Sequence, residues 1–245
     1  MIFWIIVNFL VILTSFLYAQ AKNRFDIADV IWGPSIAIFT TFHFSKILQP
    51  SINQIIILCL VWIWALRLYF HIGNRFIKKD TQDARYTELL SSIKDSKFKK
   101  FIKVFFLQGL LAFIMSFILK DTNGNNFLDF RFLSGVLIFV IGFIFEIVSD
   151  NQLKKFVTNP NNKGLLMTSG LYSISRHPNY FGEVLLWWGL WILGGSTIIS
   201  SVSPILITFL ILFISGVPMS EKQLAKRKGF DDYVKNTKKF IPFIW

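Results

Sequence analysis

Apolar residues fall in long unbroken runs along this chain, not in the period-two or period-3.6 alternation of half-buried soluble elements. The runs approach twenty residues each, which at about 1.5 Å per residue lets a helix cross a hydrocarbon core of roughly 30 Å. They predict seven membrane-spanning helices, over residues 1–19, 28–45, 52–72, 101–119, 132–149, 180–199 and 203–220. Polar residues collect between the runs, most heavily in 73–100. No repeat, low-complexity segment or linker divides the chain, so the expected fold is an all-α polytopic bundle with residues 1–245 as one domain.

Composition supports this pattern. Of 245 residues, 53% are hydrophobic and 16% charged, with mean hydropathy +0.54, whereas a soluble domain carries about a quarter charged residues. Cys59 is the single cysteine and lies in an apolar run, which excludes an intrachain disulfide or cysteine-cluster metal site. His43, His71 and His177 are too dispersed for a metal-ligand spacing, and no metal is expected.

Charge adds orientation. The net charge is +12, and in a chain this apolar such an excess flanks membrane spans, so no nucleic-acid partner is expected. With seven spans, 21 of the 26 Lys and Arg fall on one side, including Arg75, Lys94, Lys154 and seven in the tail from Lys222 to Lys239. Only Lys46, Lys120 and Arg131 fall on the other; Arg67 and Lys103 lie within spans. Basic residues are retained in the cytoplasm, which puts the N-terminus outside and the C-terminus inside. A bacterial inner membrane and an endoplasmic reticulum membrane obey the same rule. Ala19-Gln20-Ala21 has the form of a signal-peptidase site, but no basic segment precedes the run and Lys22 and Arg24 follow it, so residues 1–19 are read as a retained span.

Ionisable groups at membrane depth are costly and are candidates for function. Asp29, His43, Arg67, His71, Glu146 and Glu183 lie in or at the ends of spans. The densest polar stretch runs from Phe145 to Trp191. Glu146, Asp150 and Lys154, spaced i, i+4, i+8, share one helix face, either as a salt-bridged stripe or as a ligand-binding one. His177-Pro178 predicts an extended residue followed by a helix start. Arg176 and His177 just before free backbone N–H groups suit anions such as phosphate, and Asn179, Tyr180 and Glu183 stand in the first turns. The plainer alternative is an ordinary helix mouth with a snorkelling arginine.

Ser175-Arg-His-Pro-Asn-Tyr-Phe-Gly-Glu183, with Glu146-Ile-Val-Ser-Asp-Asn-Gln-Leu153, Leu66-Arg-Leu-Tyr-Phe-His71 and Asp83-Ala-Arg-Tyr86, resembles the steroid 5-alpha-reductase-like family of integral membrane oxidoreductases, and within it a bacterial-type branch of largely unassigned substrate. The C-terminal Gly216-Val-Pro-Met and Phe230-Asp-Asp-Tyr233 fit as well. The resemblance implies an NADPH-dependent reductase with its cofactor core at about 130–245, acting as a monomer on a lipophilic substrate amid membrane lipid. Asn179, Tyr180 and Glu183 then face the nicotinamide end. Asp150, Lys154, Arg176 and His177 are assigned to the phosphates and ribose, with Glu146, Arg75, Arg85 and Tyr233 as further cofactor contacts. Tyr69 takes the place of the carbonyl-polarising tyrosine, and Asp29 substitutes for its acid.

Such a tyrosine, supported by a carboxyl group in a low-dielectric pocket, would stabilise the enolate oxygen formed in conjugate reduction. Arg-His-Pro-x-Tyr-x-Gly, with Glu221, Leu224, Phe230 and Tyr233, is also similar to the isoprenylcysteine carboxyl methyltransferases, which implies S-adenosylmethionine as the alternative cofactor. A non-enzymatic transporter or scaffold with the same fold is a third reading.

Overall fold

The computed structural model describes residues 2–91, 93, 96–120 and 129–245, and the described residues are helical with no strand. Lys94, counted above among the basic residues of one side, lies outside the described residues. Six helical segments are long and apolar enough to cross a membrane: Ile2–Lys22, Ile27–Phe44, Ile52–Lys78, Lys97–Leu119, Phe130–Thr158 and Val202–Leu224. The protein is therefore a multi-pass membrane protein. The sixth expected span, 180–199, corresponds to a helix of only 16 residues, Pro178–Leu193. Gly194-Gly195 ends it, with Gly195 in the left-handed region at φ 94°.

The chain divides into two compact units. Unit 1 covers Met1–Phe127 and Gly194–Ser203, and unit 2 covers Leu128–Leu193 and Pro204–Trp245.

In unit 1, α1 (Ile2–Lys22) buries one narrow stripe, Asn8, Ile12, Ser15 and Ala19, and presents Phe3, Phe9 and Leu17 outward. That is the arrangement of a helix with lipid on most sides, where outward apolar groups need no cover. α2 (Ile27–Phe44) is more enclosed and contains Pro34, which cannot donate to the carbonyl four residues back. Its Gly33 allows close approach to α3 (Ile52–Lys78): a Cβ there would stand 3.1 Å from the Ala65 backbone. α3 opens with a capping box in which Ser51 and Gln54 each satisfy the other's backbone N–H. A loop carries the chain to α4 (Ala84–Leu90), and the next span is built of α5 (Lys97–Lys100), a π-turn (Phe101–Phe106), α6 (Leu107–Met115) and a 3₁₀ turn (Ser116–Leu119).

Unit 2 is centred on α7 (Phe130–Thr158) and α8 (Pro178–Leu193). Four glycines, each seven residues from its fellow on the same helix, make the contact. A Cβ on Gly135 or Gly142 would meet the backbone of Leu193 or of Gly182 and Leu186 at 2.6 Å, and one on Gly182 or Gly189 would meet that of Gly142 or Phe139 at 2.5 Å. Only glycine permits backbones this close, as small residues do in membrane helix pairs generally. The rest of unit 2 is helical from Pro204, through α9 (Val202–Phe209), a π-turn (Leu210–Ile214) and α10 (Val217–Leu224) to α11 (Phe230–Asn236).

Candidate functional site

The close α7–α8 contact sets the polar ends of these two helices side by side. Glu146 and Asp150 are both buried on α7, at 3% and 8% exposure, whereas Lys154, next on the same face, is exposed. Asn179, in the first turn of α8, donates from Nδ2 to Asp150 Oδ1 at 3.2 Å. The two predicted binding motifs thus meet through this hydrogen bond, with Tyr180 and Glu183 half-buried nearby on α8.

Tyr172, in a 3₁₀ turn (Gly170–Ser173), is buried, and its hydroxyl has no hydrogen-bonding partner among the described residues. Burial, then the charge of Asp150, raise its pKa well above that of free tyrosine, so it stays protonated and can donate. The turn is pinned by Gln152, whose Oε1 accepts from Leu171 N at 2.9 Å and whose amide lies where a Cβ on Gly170 would be. Gln152, Lys155, Phe156, Met167, Ser169 and Gly170 line an open cleft of about 340 Å³.

The segment before α8 is built differently from the expectation for an anion site. Arg176 is 6% exposed, and its guanidinium grips Glu221 of α10 in a two-point pair, Nε to Oε1 at 3.0 Å and Nη2 to Oε2 at 2.8 Å. Its Nη1 donates to the Thr237 carbonyl at 2.7 Å. His177, 2% exposed, meets the same carboxylate through Nε2 at 2.8 Å, and Tyr180 stacks on its ring at 5.7 Å between centroids. The backbone adds Arg176 N to the Lys238 carbonyl and Ser175 Oγ to that of Phe240, each 2.8 Å. Tyr233 donates its hydroxyl to the Tyr172 carbonyl at 2.6 Å, and burial first of all raises its pKa. Arg176, His177 and Tyr233 therefore fasten the C-terminal segment to the mouth of α8. Two-point Arg–carboxylate pairs are among the strongest such ties, and this one occupies the donors expected to serve phosphate.

The remaining candidates are in unit 1. Tyr69 is 42% exposed on α3, with its ring against Phe70. Arg75 is exposed in the last turns of the same helix. Asp29, expected to support Tyr69, is held instead by two α4 residues: Tyr86 donates its hydroxyl to Oδ1 at 2.5 Å and Arg85 donates from Nη2 to Oδ2 at 2.8 Å. Arg85 also donates from Nε to Oδ1 of Asp83, the N-cap of α4, at 3.2 Å. Burial, followed by the Asp29 charge, raises the Tyr86 pKa far above its ordinary value, which makes it a poor proton donor to anything else. Arg24 pairs with Asp26 at 2.8 Å, stacks on Phe76 at 4.0 Å, and donates to the carbonyls of Phe76 and Lys79, tying the C-terminal end of α3 to the α1–α2 turn. Sequence reading quoted Asp83-Ala-Arg-Tyr86 only as part of a resemblance and gave Tyr86 no role. Tyr172 and Gln152 went unassigned too, because nothing local marks a hydroxyl left without a partner or a glutamine under a positive-φ glycine.

A family model described as a protein of unknown function (DUF1295) matches residues 15–237. The chain belongs to this family. No curated protein matches it. The matched DUF1295 region takes in the end of α1 and α2 through α11, so the α7–α8 polar contact, the Arg176–Glu221 clamp and the Asp29–Tyr86 pair all lie within it.

Proposed function

We infer that this DUF1295 chain is a membrane-embedded reductase that uses NADPH to saturate a C=C bond conjugated to a carbonyl in a steroid-, sterol- or isoprenoid-like substrate. The observation that supports it best is the Asp150–Asn179 pair at the mouth of α8, beside a buried Tyr172 hydroxyl left without a partner. Asn179, Tyr180 and Glu183 then hold the nicotinamide end, Asp150 and Tyr172 the ribose, and Lys154 and Lys155 the phosphates, from the cytoplasmic side. The bound cofactor supplies hydride. Arg176 and His177 do not fit as ligands, their donors being engaged by Glu221 and Thr237, and act as the fastening that shapes the helix mouth. Tyr69 is the group assigned to the substrate carbonyl; Asp29 orders α4 and does not touch the substrate.

The rival reading, a methyltransferase using S-adenosylmethionine, draws on Glu221 and Tyr233, whose similarity to that family coincides with the clamp. Equilibrium binding of both cofactors to detergent-purified protein separates the two, followed by NADPH oxidation with a panel of lipid enones and product identification by mass spectrometry. Saturable NADPH binding that Glu183→Ala abolishes without loss of membrane insertion is expected. Binding of S-adenosylmethionine alone would overturn the reductase reading.

A further inference from the structure

Unit 1 contains a chain of hydrogen bonds whose direction is fixed from end to end. Arg85 donates to Asp29, and Tyr86 gives its one hydroxyl proton to the same carboxylate at 2.5 Å. With that proton spent, the Tyr86 oxygen can only accept, and it does so from Gln108 Nε2 of α6 at 3.2 Å. The Gln108 amide is thereby oriented by its network, and its Oε1 must point away from Tyr86. That oxygen is buried and has no hydrogen-bonding partner among the described residues.

Gln108 borders a tight gap that leaves no room for a water molecule, walled by Ile12, Ile31, Trp32 and Phe105. Ser35 borders the same gap, is 3% exposed, and its Oγ likewise has no partner. Serine within a helix usually turns its hydroxyl back to its own backbone, as Thr40 and Thr41 do on this very helix at 2.8 Å. Ser35 does not. An unmade hydrogen bond at membrane depth is costly, so two at one apolar gap need a reason. Two helix irregularities flank the site: Pro34 precedes Ser35, and the π-turn Phe101–Phe106 precedes Gln108, a feature found often at functional sites.

An acceptor without a donor beside a hydroxyl without a partner calls for a group that both donates and accepts. We propose that the gap bordered by Ser35 and Gln108 is a binding site for the hydroxyl group of a lipophilic alcohol, which donates to Gln108 Oε1 and accepts from Ser35 Oγ. A ketone or ether leaves Gln108 Oε1 unmet. Ile12 packs closely over Gly109, and its side chain must rotate to admit the ligand. This site is separate from the cofactor assignment and stands whether or not the chain is a reductase.

The test is titration of the purified full chain with farnesol, farnesyl methyl ether and farnesene by calorimetry. Dodecyldimethylamine oxide micelles are suitable because the detergent carries no hydroxyl. Farnesol should bind saturably, about three- to ten-fold tighter than the ether, the size of one hydrogen bond. Gln108→Leu should bring that ratio close to one, and Ser35→Ala should weaken farnesol and its ether alike. Tyr86→Phe is the sharper variant, since it frees the Gln108 amide to turn and donate, and the preference for alcohol over ether should shrink although no gap-lining residue has changed. Equal binding of farnesol and its ether, no saturable binding, a ratio unmoved in Gln108→Leu, or affinities unmoved in Ser35→Ala would overturn the proposal.

Discussion

Two clusters of charge sit in this protein, and they are built on opposite plans. In unit 2 one carboxylate, Glu221, serves two buried side chains, Arg176 and His177, and a remaining arginine donor goes to a backbone carbonyl. In unit 1 the buried Arg24 and Asp26 and the partly exposed Asp29, Asp83 and Arg85 are distributed over several pairs that share the work. Removing one partner from the first plan strands charge in a dry place, while the second can redistribute. Both join segments distant in sequence, but only the unit 2 clamp depends on a single side chain.

Glu221→Ala is the strongest way to break that contrast. It leaves Arg176 and His177 buried without their anion and should destabilise the folded protein by about 3–5 kcal/mol, read from detergent-solubilised unfolding by circular dichroism. A loss under about 1 kcal/mol would mean that Thr237 and the backbone bonds alone hold the segment. Asp29→Asn in unit 1 should cost less, about 1–2 kcal/mol in the same assay, since Arg85 keeps Asp83 and stays partly solvated. A cost equal to that of Glu221→Ala would erase the distinction.

The smallest effect is one of pH. Burial alone would raise the Asp83 carboxyl, but hydrogen bonds from the Arg85 side chain and backbone, and the charges of Arg85 and Arg75, outweigh it and hold the group below its ordinary value. A carboxyl depressed by folding contributes stability that is complete above its unfolded pKa of about 3.9 and is lost as pH falls through the lower folded value. Because the group is partly solvated the contribution is under about 1 kcal/mol. Comparing acid unfolding of Asp83→Asn with that of the native chain should show a shallower loss below about pH 4 in the variant.

The spans were legible because membrane length and hydropathy are local properties, and so was the i, i+4 face of Glu146 and Asp150. The destination of Arg176 was not. Its partner is 45 residues away on α10, and an arginine before a helix start reads equally well as a phosphate ligand until Glu221 is seen against it. The Asp29–Tyr86 pair, 57 residues apart, was hidden for the same reason. The α7–α8 glycines carry a spacing signal, seven residues on each helix, that could have been read as a close helix pair. The early end of α8 was overlooked because Gly194-Gly195 lies inside an otherwise apolar run, which hydropathy averages over.

That early end bears on the bilayer itself. At about 1.5 Å per residue, the 16 residues of α8 span about 24 Å, short of a hydrocarbon thickness of roughly 30 Å. No residue of α8 is exposed, so the missing depth falls at its ends, where headgroups and water have to dip toward it. Such a recess shortens the distance a polar group must travel from the headgroup layer to the ends of α8.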